Sequence, residues 1–150
     1  MAKKLRHAQL AEVAGECTLL GIRQASRAIT QIYDAAFAPI RLKGNQFTLL
    51  TAISRMGEPT ITRLGEALVT DRTTLTRNLA PLEREGLVRI AVGADRRSRI
   101  VTVTPRGSER LAQAYPLWKQ AQARIVRAIG KSRWKGLLDH LSEVTALARM

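Results

Sequence analysis

The stretch that decides the fold is Thr60–Gly107, which reads TITRLGEALVTDRTTLTRNLAPLEREGLVRIAVGADRRSRIVTVTPRG. In its first half, apolar residues recur at spacings of three and four, once after Thr60 and again after Asp71. Threonine and aspartate are favoured N-caps because their side-chain oxygens accept hydrogen bonds from free backbone N–H groups. We therefore predict two consecutive helices, one beginning after Thr60 and one after Asp71.

The second half of the stretch has the alternation of β-strands. Leu87–Val92 and Arg99–Val103 alternate between two faces, and a polar tip, Gly93–Arg99, connects them. Thr104 followed by Pro105 is typical of a helix start, because proline suits the first helical position. Two helices followed by a hairpin predict a winged helix-turn-helix.

Long helical patterns lie on both sides. Residues 1–9 form a short basic arm, and Leu10–Phe37 predicts one helix of about 42 Å at 1.5 Å per residue, ended by Pro39. Asn45 is expected to cap a helix that runs to Met56. After the hairpin we expect a helix to about Gly130, interrupted by Pro116, and a final helix over Ser132–Ala148.

The predicted fold class is mostly α with a small β-hairpin (α+β), in a single domain over residues 1–150. A winged DNA-binding module (residues 41–107) is flanked by terminal helical segments (residues 1–40 and 108–150). These segments are too apolar to remain exposed, since burying one leucine is worth ~1.5–3 kcal/mol. We expect them to form a homodimer; the alternative is a monomer whose terminal helices pack on the module.

Composition favours a polyanionic partner. The chain has 25 basic and 12 acidic residues, a formal charge of +13, and residues 58–107 hold nine basic residues, all arginine. Arginine can contact a phosphate or a guanine edge through two hydrogen bonds. Aromatic residues make up only 4% of the chain, which argues against a stacking platform for single strands. The alternative is a solvated surface with an arginine bias.

The chain shows no signal peptide and no stretch of the ~20 apolar residues that a membrane span needs. Its single cysteine, Cys17, excludes an intramolecular disulfide bond. A cytoplasmic protein without membrane contact is the simplest expectation.

The helix after Asp71 is the expected recognition helix, and its polar residues are the candidates for DNA contact. Arg77 is assigned to a base edge, the threonines to phosphate or base contacts, and Arg72 to a phosphate. The alternative is an ordinary solvated face with capping threonines. The candidate set is Arg72, Thr73, Thr74, Thr76, Arg77 and Asn78.

These motifs resemble the MarR-type bacterial transcription regulators. The resemblance spans nearly the whole chain, from ASRAITQIYD (Ala25–Asp34) to the last helix. Its most specific parts are DRTTLTRNLAPLEREGLV (Asp71–Val88) and DRRSRIVTVTPRG (Asp95–Gly107). The resemblance implies a homodimer joined through its terminal helices that represses nearby genes. It also implies release from DNA by a small, often phenolic or anionic, ligand or by oxidation.

The resemblance assigns Arg97, at the hairpin tip, to the minor groove of DNA. Asp95 is expected to pair with a nearby arginine and hold the tip, while Arg96 and Arg99 are candidates for phosphate contacts. The alternative is a tip that carries charge only for solubility.

In the family the effector pocket lies between the dimer helices and the winged module. Residues of that region that could bind an anionic or aromatic effector are Arg23, Arg27, Arg41, Phe47 and Trp118. The alternatives for each are intramolecular ion pairs and core packing.

Three other functions are consistent with parts of the sequence. Cys17 lies about two residues from the cysteine of the family's peroxide sensors, so a redox regulator is an alternative, although an inert thiol is favoured. A low-specificity architectural DNA-binding protein and a protein-interaction winged helix are the others. His7 and His140 form no metal-ligand spacing with Cys17, and no catalytic motif is present, so no metal, cofactor or enzyme activity is expected.

Overall fold

The computed structural model describes residues 4–148 and contains seven α-helices and one two-stranded sheet within them. A 3₁₀ turn, Ala38–Ile40, follows the second helix. The elements are α1 (His7–Glu16), α2 (Thr18–Phe37), α3 (Gly44–Met56), α4 (Ile61–Leu68), α5 (Arg72–Arg84), β1 (Val88–Val92), β2 (Arg99–Val103), α6 (Pro105–Ile129) and α7 (Lys131–Leu147). The predicted fold class, mostly α with a small β-hairpin, is confirmed.

The core lies mainly in the winged module and extends to Phe37 of α2 and Ala114 of α6. Helices α3, α4 and α5 each bury one apolar face, and the hairpin closes the cluster through Val88 and Val101. The buried residues of the three helices are Leu49, Leu50, Ile53, Ile61, Leu64, Leu75, Leu79 and Leu82. Leucines at 75, 79 and 82 are fully buried, as their spacing predicts.

The hairpin pairs β1 and β2 antiparallel, from Val88 opposite Val103 to Val92 opposite Arg99. The middle of β2 is tied to the start of α4, because Thr60 bridges to Ile100 and the Val101 N–H donates to the Pro59 carbonyl at 2.9 Å. The wing therefore has a fixed position relative to the two helices before it.

The predicted caps are confirmed. The Thr60 hydroxyl accepts from the Arg63 N–H at 3.2 Å, and the Asp71 carboxylate accepts from the Thr74 N–H at 2.9 Å. Helix α6 begins at Pro105, with the Thr104 hydroxyl accepting from the Gly107 N–H at 3.0 Å. Each cap satisfies a backbone donor that the first helical turn leaves free.

The prediction of one helix over Leu10–Phe37 is wrong, because the chain leaves helical geometry at Cys17 (φ −73°, ψ 107°). Helix α1 has no buried residue, so no packing holds it in line with α2, and Gly15 lowers the helix propensity beside the break. Helix α1 also begins at His7, within the predicted arm, whose residues 1–3 lie outside the described residues.

Two other local predictions are wrong. Asn45 does not cap α3; the cap is Lys43, whose N–H donates to the Gln46 side chain, while the Gly44 N–H donates to Asp34 at 2.7 Å. Pro116 does not interrupt α6, which is continuous to Ile129. Pro116 and Ala112 are both exposed, so water can satisfy the Ala112 carbonyl that the proline leaves free.

Helices α2 and α6 contact each other and cover one side of the module. The Tyr33 hydroxyl donates to Gln122 at 2.5 Å, and the Arg110 guanidinium donates to the Ile40 carbonyl at 3.0 Å. No helix within residues 4–148 is both long and apolar enough to cross a membrane.

Candidate DNA interface and ligand pocket

Helix α5 has one buried face and one exposed polar face. Successive helical residues are about 100° apart, so Thr73 and Arg77 point away from the leucines that enter the core. Both are exposed, as are Arg72 and Thr76. These four side chains form a continuous polar surface that is exposed within residues 4–148.

The remaining two candidates on α5 are half-buried. Thr74 is engaged with the cap, since its hydroxyl and its backbone N–H both hydrogen-bond to Asp71 and lower the pKa of that carboxyl group below its usual value. Asn78 lies about 100° around the helix from Arg77, beside the core, and lines a pocket described below.

The turn between α4 and α5 is tight. Val69 ends α4 with φ 50°, a left-handed conformation that strains a β-branched residue. Gly65 faces the Thr70 carbonyl so closely that a Cβ atom would lie 2.8 Å from that oxygen. Glycine at this position therefore allows the turn to fold back onto α4.

At the wing tip the prediction that Asp95 pairs with an arginine side chain is wrong. Its carboxylate accepts from the backbone N–H of Arg97 at 3.1 Å, and its carbonyl accepts from the Ser98 N–H at 2.9 Å. A short turn brings these backbone donors closer to Asp95 than any guanidinium group. Asp95 therefore shapes the tip without neutralising an arginine.

The three arginines of the tip are exposed but differ in their bonds. The Arg99 guanidinium donates to the carbonyls of Arg96 and Ser98 at 3.1 and 3.2 Å, which holds the tip closed. Neither Arg96 nor Arg97 makes a side-chain hydrogen bond among the described residues. Arg97 is thus free to contact a partner.

Charge around this surface is unpaired. The ion pairs formed within residues 4–148 are Lys43–Asp34 at 3.6 Å and His140–Glu143 at 3.4 Å. None of the nine arginines in residues 58–107 therefore pairs with a carboxylate in this part of the chain. Unpaired guanidinium groups at an exposed surface favour binding of a polyanion.

A pocket of about 450 Å³ lies between α2 and the winged module. Its walls come from α2, α3, α5 and α6, from the last residue of α4 and from the turn that follows it. The lining residues are Ile29, Thr30, Tyr33, Gly44, Asn45, Phe47, Thr48, Leu49, Leu68, Thr70, Asn78 and Trp118. A larger depression of about 840 Å³ lies on the outer side of α4, against Ala148, the last described residue.

The pocket brings together some of the predicted effector residues and not others. Phe47 and Trp118 line it, whereas Arg23, Arg27 and Arg41 do not and are exposed elsewhere. Sequence analysis did not identify Tyr33, Asn45 or Thr48 as pocket residues. Asn45 and Thr48 are three residues apart and therefore share one face of α3, but only the folded structure shows that this face meets α2 at the pocket.

Cys17 is half-buried at the start of α2. It borders a depression formed with Leu5, Gln9, Glu12, Val13 and Glu16. The histidines lie apart from it, with His7 beginning α1 and His140 beside Glu143. Within residues 4–148 no group of histidine, cysteine and acidic side chains is arranged to hold a metal ion.

The terminal helices expose apolar side chains. Helices α1 and α7 have no buried residue, and α2 buries only Phe37. Their exposed large apolar residues are Leu10, Val13, Leu19, Leu20, Ile22, Ile29, Leu137, Leu138, Leu141, Val144 and Leu147. Leu137, Leu141 and Val144 lie on one face of α7, an arrangement typical of a surface that binds another protein.

Comparison with known proteins gives one family. The MarR family model matches residues 42–98. None of the curated proteins matches the chain significantly.

Solved structures match over almost the whole chain. The transcriptional regulator MosR of M. tuberculosis in complex with DNA is 35% identical, with a TM-score of 0.82, over 89% of this chain and 97% of that one. MosR without DNA is 32% identical, with a TM-score of 0.77, over 89% and 96%. The transcriptional repressor CouR, bound to a 23-mer DNA duplex, is 24% identical, with a TM-score of 0.77, over 95% and 99%.

Proposed function

Because the chain belongs to the MarR family of transcription regulators, we propose that it is a repressor that binds a pseudo-palindromic operator as a homodimer and is released by a small ligand. Members of this family are winged-helix DNA-binding regulators and are typically homodimers. Its relatives are regulators rather than enzymes.

The exposed polar face of α5 carries the proposal. It has the width of a helix that fits the major groove, it is uncovered, and it presents Thr73, Thr76 and Arg77. MosR has been determined in complex with DNA, which supports the same use here. Arg77 reads a base edge, most simply guanine, and Arg72 contacts a phosphate.

The wing supplies the second contact. Arg97, whose guanidinium is free, enters the adjacent minor groove, where a narrow A·T-rich segment concentrates negative potential. Arg96 contacts a phosphate. Arg99 can do the same only with the donors that its two tip carbonyls leave free.

The terminal segments, residues 1–40 and 108–150, form the dimer. Each exposed leucine of α7 that becomes buried contributes ~1.5–3 kcal/mol, and two-fold symmetry doubles every such contact. A two-fold dimer presents two α5 helices to half-sites about one helical turn apart.

The pocket between α2 and the module is the proposed effector site. It joins a dimerisation helix to the recognition helix through Tyr33 and Asn78, so an occupant can change the separation of the two α5 helices. CouR, which shares the fold, has been determined bound to p-coumaroyl-CoA. The coupling must be reciprocal, so DNA weakens ligand binding by the same factor.

The test is the affinity for two labelled duplexes, one from upstream of the protein's own gene and one of scrambled sequence, measured by fluorescence anisotropy over a salt series. A regulator should prefer its site by ~10³-fold or more at physiological salt. Equal affinity for both duplexes would indicate an architectural protein. If neither duplex binds with an affinity that falls as salt is added, the protein is a protein-interaction module.

Thiol sensing through Cys17 is the second candidate. Its half-buried position at the edge of an open depression favours it, because a small oxidant can reach the thiol there, whereas the neighbouring Glu12 and Glu16 provide no positive charge to activate it. If Cys17 is the sensor, peroxide should release DNA from the wild-type protein and not from Cys17→Ser. Equal behaviour of the two proteins would exclude it.

A further inference from the structure

Among residues 4–148, none that lines the pocket between α2 and the winged module is charged. We propose that its occupant is an uncharged aromatic molecule whose polar group is bound by Asn78 of the recognition helix. This inference rests on the proposed ligand-responsive function and specifies the chemistry of that ligand.

The walls suit a flat apolar body. Phe47 and Trp118 supply two aromatic side chains, and Ile29, Leu49 and Leu68 supply aliphatic ones. The volume of about 450 Å³ falls within the ~300–1,000 Å³ of small-molecule sites. An aromatic ligand of one or two rings therefore fits.

Most hydroxyl donors of the lining are already used. Thr30, Thr48 and Thr70 donate to the carbonyls of Ser26, Gly44 and Leu68 at 2.7, 3.0 and 3.1 Å. The Tyr33 hydroxyl donates to Gln122. These four groups retain only lone pairs for a ligand, so they can accept hydrogen bonds but cannot stabilise an anion.

The indole N–H of Trp118 is a donor without a partner among the described residues, and two groups remain that can both donate and accept, the side-chain amides of Asn45 and Asn78. They are the only asparagines of the chain, both line the pocket, and neither has a side-chain hydrogen-bond partner among the described residues. A primary amide offers both donors and an acceptor. Its natural complement is a neutral group of the same kind, such as a carboxamide.

The surroundings disfavour an anion. The Gly44 N–H, which could have bound one, donates to Asp34 at 2.7 Å, and that carboxylate also holds Lys43 at 3.6 Å. Arg23, Arg27 and Arg41 lie outside the lining. A carboxylate transferred from water into this pocket would lose hydration without gaining a cation.

Asn78 links the ligand to DNA binding. It lies on α5, one residue after Arg77, so a hydrogen bond to Asn78 acts directly on the helix that reads DNA. A ligand that hydrogen-bonds to the Asn78 side chain stabilises the position of α5 in which that hydrogen bond is strongest.

The experiment compares 2-naphthamide with 2-naphthoate by isothermal titration calorimetry at neutral pH, using the full-length protein without DNA. The two probes share their rings and shape and differ by one negative charge. We expect the amide to bind at least about tenfold more tightly, and Asn78→Ala to reduce amide affinity about tenfold, the effect of one lost hydrogen bond. Thr51→Ala, an exposed change on α3 outside the pocket, is the matched control and should leave both affinities unchanged.

A second variant keeps the test informative if Asn78→Ala does not fold. Asn45 is exposed, so Asn45→Lys is tolerated, and it should reverse the preference toward 2-naphthoate. Equal or tighter binding of the naphthoate by the wild-type protein, or failure of the amide to bind at millimolar concentration, would overturn the proposal. DNA affinity without ligand is measured separately, so failure of the DNA-binding proposal is distinguished from failure of this one.

Discussion

The winged module and the terminal helical segments differ in what they leave exposed. Of the large apolar side chains that are exposed in the described residues, Val69 and Val92 lie in the module, and the other thirteen lie in residues 1–40 and 108–150. The module buries its leucines and exposes threonine and arginine. Its core also takes in Phe37 of α2 and Ala114 of α6, whereas α1 and α7 bury no residue within the described chain.

The distribution of charge runs the other way, because most of the excess positive charge lies outside residues 58–107. Residues 58–107 hold nine basic and six acidic residues, so the other sixteen basic residues, with six acidic ones, lie outside. Net charge therefore does not locate the proposed DNA interface. What distinguishes it is that unpaired arginines lie on an exposed helix face and at a hairpin tip.

The largest effect is expected from substitutions in the exposed apolar surface of α7. The double substitution Leu137→Asp and Leu141→Asp in α7 should convert the dimer to a monomer and abolish operator binding. Each buried leucine contributes ~1.5–3 kcal/mol, and four are lost per dimer. Analytical ultracentrifugation measures the change. Ser142→Asp is the control for added charge on the same helix, and an unchanged sedimentation coefficient in the double variant would contradict the proposed dimer.

A core substitution compares the stability of the two regions. Leu79→Ala should lower the free energy of unfolding by ~2–5 kcal/mol at every protein concentration, because Leu79 is fully buried within one chain. Leu138 is 47% exposed, so the effect of Leu138→Ala should depend on concentration. Urea denaturation at two protein concentrations separates them. If both variants lose the same free energy of unfolding at both protein concentrations, the proposed difference between the module and the terminal helices is wrong.

Substitutions on the polar surface test its function. Arg77→Ala should cost ~1–3 kcal/mol of operator binding, with a loss that depends on the operator sequence. Arg97→Ala should weaken binding most where the flanking sequence is A·T-rich. Arg133→Ala, which removes the same charge from α7, is the control in anisotropy titrations. If all three variants lose the same affinity on every duplex, only general electrostatic attraction is involved.

The smallest expected effect concerns the cap of α5. Hydrogen bonds from Thr74 lower the pKa of Asp71 in the folded protein, so its contribution to stability is present above its ordinary value of 3.8 and is lost as the pH falls through the folded pKa. Thermal melts in that acidic range should show a steeper loss in wild type than in Asp71→Asn. Parallel curves would show that the cap does not depend on this charge.

Local chemistry made the module predictable. The caps at Thr60, Asp71 and Thr104 act within three residues, and the buried leucines of α5 follow one helical period. Strand alternation placed both strands within one residue of their bounds. Each of these features depends on neighbours in the sequence rather than on the rest of the fold.

The predictions that were wrong concern features that depend on contacts between residues far apart in the sequence, or on the lack of such contacts. Asp34 supplies the acceptor at the start of α3 that the sequence assigned to Asn45, and α1 buries no residue that would hold it in line with α2. The pocket needs five elements to meet, so its uncharged lining was not visible in the sequence, which suggested arginines there. Of the predicted residues Phe47 and Trp118 line it, and Asn78, assigned to DNA, joins them.

The most direct measurement of the central claim is selection of bound duplexes from a random DNA pool, followed by sequencing. A symmetric pair of α5 helices with flanking wings should enrich an inverted repeat whose half-sites are centred about one helical turn apart, with A·T-rich flanks. Recovery of unenriched sequence, or of a single half-site without a symmetric partner, would contradict the account.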